Sequence, residues 1–127
     1  MPGFHVVDGK GLEWEEYGRF PGRFKAELTE AAGLRHTRAN LIRQEPGAKG
    51  PRHVEHAQDE TFVPLRGTMT LYLDDPAERH EIAVGGIAHV EAGTAHQMVN
   101  ESDQDLIVFV FGAPPERGPA DLLDSAV

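Results

Sequence analysis

The chain has 127 residues, with 12 Lys and Arg against 21 Asp and Glu, a formal net charge of −9. That length suits a single domain, 1–127, able to bury a real core, and the acid excess argues against a nucleic-acid or anionic-membrane partner, because phosphates need clustered cations. Cysteine is absent, which removes disulfides, thiolate metal sites and cysteine nucleophiles together.

Taken in chain order, the start shows no basic region followed by an apolar run of signal-peptide length. No apolar stretch approaches the ~20 residues that span a bilayer. A cytoplasmic protein is the expectation. The first thirty residues hold the only Trp, Trp14, with Tyr17, Phe20 and Phe24. They read either as an N-terminal arm laid across a barrel edge or another subunit, or as the first strand of the fold.

The body reads as β. Short alternating runs over residues 23–30, 37–43, 61–65, 68–74, 80–84, 87–90, 97–100 and 106–111 are separated by turn signals rich in Gly, Pro and Asp. Many short strands at close spacing indicate an all-β sandwich or barrel. In 68–74, Met69, Leu71 and Leu73 share one face and Thr68, Thr70 and Tyr72 the other. The run from Ile107 to Phe111 is apolar throughout, so cover is expected on both of its faces, from a second sheet or a partner chain. Residues 119–126 read as a short C-terminal helix opened by Pro119, with Leu122 and Leu123 docking, or as a frayed tail.

Seven His is a generous number for this length. His5, His36 and His80 read as surface residues, and His89 as surface or pocket-lining. The remainder fall into a pattern. Five residues separate Gly47 from His53; Glu60 follows seven after His53, and Gly67 seven after Glu60. Further on, Gly85, Gly93, His96 and Asn100 repeat the theme, with 17 residues between Gly67 and Gly85.

In these two motifs, over about residues 37–112, the chain resembles the cupin superfamily, small single-domain members in particular. The first motif is Gly, five residues, His-x-His, three or four residues, Glu, six residues, Gly. The second is Gly, five residues, Pro-x-Gly, two residues, His, three residues, Asn. Two positions depart from it: Glu55 stands where the second His belongs, with His56 next to it, and Glu91 stands where the Pro belongs.

The resemblance implies a double-stranded β-helix, the jelly-roll barrel, whose inward His and Glu residues bind one divalent metal. His53, Glu60 and His96 would supply two imidazoles and a carboxylate, a donor set that suits Fe, Mn, Ni, Co or Zn. The further ligand turns on strand parity. A regular strand puts Glu55 beside His53, the preferred reading, whereas a one-residue bulge swings His56 inward instead. Glu55 could also stay unligated as a general base, and Glu55, His56 and Glu60 are the candidates for moving protons. Gly67 and Gly93 read as turn residues with φ > 0, and Gln97 and Asn100 as strand-end polar residues.

The functional expectation is a mononuclear metal cupin enzyme of dioxygenase, isomerase, lyase or cyclase type. Its substrate would be a small organic molecule in a mostly apolar pocket lined from Phe62, Met69, Leu71, Tyr72, Met98, Val108 and Val110. A phosphorylated sugar fits less well, since the only basic cluster is Arg35, Arg38 and Arg43. The alternative is a non-enzymatic binding or sensor module with a structural or vestigial metal site. A homodimer through edge strands is expected.

Overall fold

The computed structural model describes residues 3–116 and 118–127. Among these described residues, eleven strands follow one short 3-10 turn, Gly9–Gly11: β1 Glu15–Glu16, β2 Arg23–Glu27, β3 Arg38–Gln44, β4 Arg52–Glu55, β5 Asp59–Arg66, β6 Met69–Leu73, β7 Glu78–Ile82, β8 Ala88–Val90, β9 Ala95–Val99, β10 Leu106–Ala113 and β11 Ala120–Leu123. They form two antiparallel sheets, ordered β1-β2-β3-β10-β5-β8 and β11-β4-β9-β6-β7. None of the described helices is long and apolar enough to cross a membrane.

The alternation in the sequence decides which side chains meet between the sheets. Along β10, Leu106, Val108 and Val110 are buried, while Ile107, Phe109 and Phe111 face the other way and are half-buried. The continuous apolar run therefore has one covered face and one partly open face. Ile42, Phe62, Met69, Leu71, Val90 and Met98 complete the apolar core. Met69 and Leu71 sit in it as their period predicts. Tyr72 does not: it points outward and its hydroxyl hydrogen-bonds Glu101, beside Arg79. Its parity opposes that of Met69 and Leu71, so it is removed from the interior set.

Both chain ends close sheet edges. Within the N-terminal segment the strand alternative describes residues 15–27: β1 and β2 extend the six-stranded sheet, with β2 paired to β3 from Arg23↔Gln44 to Glu27↔Asn40. The tail is a strand and not a helix. β11 pairs with β4 from Ala120↔Glu55 to Leu123↔Arg52, and Leu122 is exposed. So short a segment gains little as an isolated helix, whereas the open edge of β4 offers it a ready backbone ladder.

Two polar devices hold the connections. Asn100, fully buried, donates from Nδ2 to the carbonyls of Gln44 (2.8 Å) and Gln104 (2.7 Å) and accepts at Oδ1 from Ser102. It ties the ends of β3 and β9 to the start of β10. Gly67 turns β5 into β6 at φ 80°, and a Cβ there would lie 2.8 Å from the Asp105 carbonyl oxygen; only glycine meets both demands.

Candidate metal centre

The strand that matters most has a weak β signal. Residues 52–55, Arg-His-Val-Glu, contain a single β-branched residue and three ionisable ones. β4 forms because it is inserted between β11 and β9. It is regular, so His53 and Glu55 turn to the same side, and no bulge brings His56 inward. His56 is half-exposed and its Nε2 lies 2.9 Å from Asp121 Oδ2 on β11. The preferred parity therefore describes the structure, and His56 is outside the cluster.

His53 is the register partner of His96 on β9, and the two ring centroids are 4.3 Å apart. Glu60 reaches them from the facing sheet, on β5. One donor atom each from His53, Glu60 and His96 lie within 4.8 Å of one another. Glu55 is almost completely buried, with Oε1 3.5 Å from His53 Nε2. Phe62 packs edge-on to the His96 ring at 5.7 Å.

The histidine orientations suit a cation. His53 Nδ1 lies 3.2 Å from the Pro51 carbonyl and His96 Nδ1 3.0 Å from the Thr94 carbonyl. A carbonyl can only accept, so each ring donates from Nδ1 and keeps Nε2 for the centre, the arrangement that fixes the tautomer of metal-ligating imidazoles. Glu60 Oε1 sits 3.1 Å from His96 Nε2. Burial pushes the His53 imidazole below its ordinary pKa, and the neighbouring His96 adds to this. For His96, burial pulls the same way but is outweighed by the hydrogen bonds to Glu60 and to the Thr94 carbonyl, so its pKa is raised. A cation on these nitrogens would compete with protons there. Two imidazole nitrogens and a carboxylate, with no sulfur, fit a first-row divalent ion, and His53, Glu60 and His96 are the residues that could hold it.

The cavity above this cluster, about 180 Å³, overturns the expectation of a mostly apolar lining. Ile42, Phe62, Met98 and Val110 form part of the wall, but Tyr17, Arg23, Lys25, Arg38 and Asn40 form another part, with Gln58, Glu55 and Glu60 beside the histidines. Met69, Leu71 and Val108 are not in the lining. Of the basic residues singled out by sequence, only Arg38 is there. Arg43 stacks over Phe24 at 4.2 Å and lies 3.7 Å from Asp105, and Arg35 is exposed in a loop. Sequence reasoning missed Arg23, Lys25 and Tyr17. The signal was present, since alternation puts Arg23 and Lys25 on one face of β2, but which face lines the cavity depends on pairing with β3. His5, His36, His80 and His89 are exposed, as surface residues should be.

Residues 40–112 match the family of the cupin domain. The chain is a cupin. Among solved structures, this cupin is similar to a sugar phosphate isomerase of the cupin superfamily from Silicibacter pomeroyi, at 30% identity and a TM-score of 0.80 over 94% of this chain and 82% of that one. It also resembles the polyketide cyclase RemF from Streptomyces resistomycificus, at 22% identity and a TM-score of 0.80 over 94% and 85% of the two chains, a likeness of fold. In sequence it is 31% identical to auxin-binding protein 1 of Arabidopsis thaliana over 116 residues, 82% of this chain; the match spans 56% of that relative's length.

Proposed function

We propose that this cupin is a mononuclear divalent-metal enzyme that rearranges a small organic molecule by proton transfer, as an isomerase does. The observation that carries the reading is the convergence of His53, Glu60 and His96 on one point with a second buried carboxylate, Glu55, 3.5 Å from His53. When bound, a divalent ion supplies Lewis acidity that polarises a substrate carbonyl or hydroxyl. The chain's own residues do the rest. His53, Glu60 and His96 hold the ion. Glu55, on the same strand face as His53, is placed to accept a proton from a carbon next to the polarised group and return it to a neighbouring one. Ile42, Phe62 and Val110 give the cavity an apolar wall beside the cluster. Similarity to a sugar phosphate isomerase at 30% identity supports this class over the oxidative chemistries.

Elemental analysis tests the ligand set. The purified protein should carry about one divalent ion per chain, and His53→Ala with His96→Ala should remove it; unchanged metal content in that variant would overturn the assignment. The reaction is tested by deuterium uptake from D2O into a panel of hydroxy-aldehydes, hydroxy-ketones and hydroxy acids, free and phosphorylated. Glu55→Gln should keep the metal and lose exchange.

A second reading has its own support. Similarity to a protein named for binding auxin favours a non-enzymatic ligand-binding module. Saturable ligand binding with no deuterium uptake across the panel would select it.

A further inference from the structure

The metal cluster occupies one part of the cavity; the cations form another, on the sheet that also carries Glu60 and faces the two histidines. His53 and His96 stand on β4 and β9, whereas Arg23 and Lys25 stand on β2 and Arg38 on β3. Tyr17, from the segment before β2, lies between two of them: its ring is 5.2 Å from the Arg23 guanidinium and 5.7 Å from Lys25 Nζ. These contacts help hold Arg23 and Lys25 at the cavity wall.

Arg23 is built in. It donates from Nη1 to Gln44 Oε1, and Gln44 in turn donates from Nε2 to the Ala48 carbonyl at 3.1 Å. Position 50 is glycine where a Cβ would lie 2.1 Å from Arg23 Nη1, so the backbone leaves room for the guanidinium. Its Nε is fully buried with no hydrogen-bond partner among the described residues, and burial lowers its pKa. Lys25 and Arg38 form no ion pair among the described residues. Glu27 feels both charges, but it is exposed and its Oε1 accepts from the Thr29 amide at 2.9 Å.

Counting the lining groups decides the sign of the field. Three cations, Arg23, Lys25 and Arg38, stand against two carboxylates, Glu55 and Glu60, so 3 − 2 = +1 with the histidines neutral. A divalent ion on the cluster would raise this to +3. The chain as a whole is at −9, and at physiological salt charges more than ~8 Å away are largely screened. A local positive concavity in an acidic protein concentrates anions.

We infer that Arg23, Lys25 and Arg38 form an oxyanion-binding subsite that takes the phosphate or carboxylate group of the substrate, leaving its reacting end at the His53, Glu60 and His96 cluster. The inference rests on reading the cavity as the substrate site. Guanidinium and ammonium groups on adjacent strands line one cavity and offer forked and point-charge donors to an anion within it. Auxiliary binding energy spent there holds the rest of the molecule in register with the cluster.

Titration calorimetry with inorganic phosphate and with acetate, on protein as purified and after chelator treatment, tests it. At least one anion should bind saturably in both forms. Lys25→Gln with Arg38→Gln should weaken that binding by about tenfold or more in both forms while metal content stays unchanged, and Arg35→Gln, at an exposed arginine outside the cavity, should leave it unchanged. Tighter phosphate points to a phosphoryl substrate, tighter acetate to a carboxylate. Side-chain resonances of Arg23 in the wild type should shift during the titration, a readout that does not require the variant to fold. Absence of saturable binding by either anion, or equal affinity in the double variant, overturns the subsite. The chelated arm keeps this apart from the metal reading. If His53→Ala with His96→Ala left metal content unchanged, that reading would fail while phosphate affinity still judged the cations.

Discussion

Two parts of the interior contrast. Around Met69, Leu71, Leu106 and Val108 the side chains are fully excluded from solvent and none carries a polar group. Around His53, Glu55, Glu60 and His96, with Arg23 and Lys25 nearby, ionisable side chains share the wall with Ile42, Phe62, Met98 and Val110. Both are made by period-2 alternation on the same two sheets, and β10 serves both: Leu106 and Val108 enter the apolar part, Val110 and Gly112 the cavity wall. The first part is the apolar core of the fold. The second is stabilised by pairing and by the surrounding ladder, and so is available for chemistry. A site of this kind costs stability and depends on the apolar part to offset it.

The sharpest break in that comparison is Leu71→Ala. It should cost about 2–5 kcal/mol in chemical denaturation, since the fully buried site cannot collapse around the lost methyls. Metal content per folded chain should not change. A loss of metal without loss of stability would mean the two parts are not separate. Next comes Gly67→Ala, which forces φ 80° on a residue with a Cβ 2.8 Å from a carbonyl oxygen. It should destabilise by about 1–3 kcal/mol, read as a lower denaturation midpoint at constant slope, again without touching the cluster.

A smaller effect is expected from the surface. The hydrogen bond from Tyr72, with Arg79 adding to it, holds the Glu101 carboxyl below the usual carboxylate range. A carboxyl whose folded pKa is lowered contributes stability that is present above its unfolded pKa and is lost as pH falls through the folded value. Glu101→Gln should therefore lower Tm slightly at neutral pH and flatten its decline in acid. The change is small because the group is nearly exposed and screened. The least effect belongs to His56→Ala. Its pair with Asp121 is at the surface, so stability should move by no more than about 0.5 kcal/mol and metal content not at all. Loss of metal in that variant would restore the bulged alternative for β4.

Much of this was legible in one dimension. The positions of His53, Glu60, His96 and the glycines between them mark the cupin pattern, because turn geometry and strand length leave little freedom in spacing. The apolar alternation of Met69 and Leu71 marks the core. Parity marks Glu55 over His56, given a regular β4. The strand itself was harder to see, since ligand-bearing segments trade β-forming side chains for ionisable ones and survive only because neighbouring strands pair with them. Tyr72 stood among the lining candidates on the face opposite Met69 and Leu71, and only the packed sheets decided which face turns inward.

What remained for the tertiary structure were the features that depend on which strands become neighbours. Whether the tail is helix or strand was decided by the free edge of β4, a nonlocal partner absent from any window around residues 119–126. Whether Arg23 and Lys25 meet solvent or the cavity was decided by the pairing of β2 with β3 and by Tyr17 lying against both cations. By itself, then, the sequence determined the family, the core alternation and the three donors, all properties of local spacing. The charge of the cavity is a sum over residues 23 to 60 in the chain, brought together only by folding, and a net charge of −9 does not contain it.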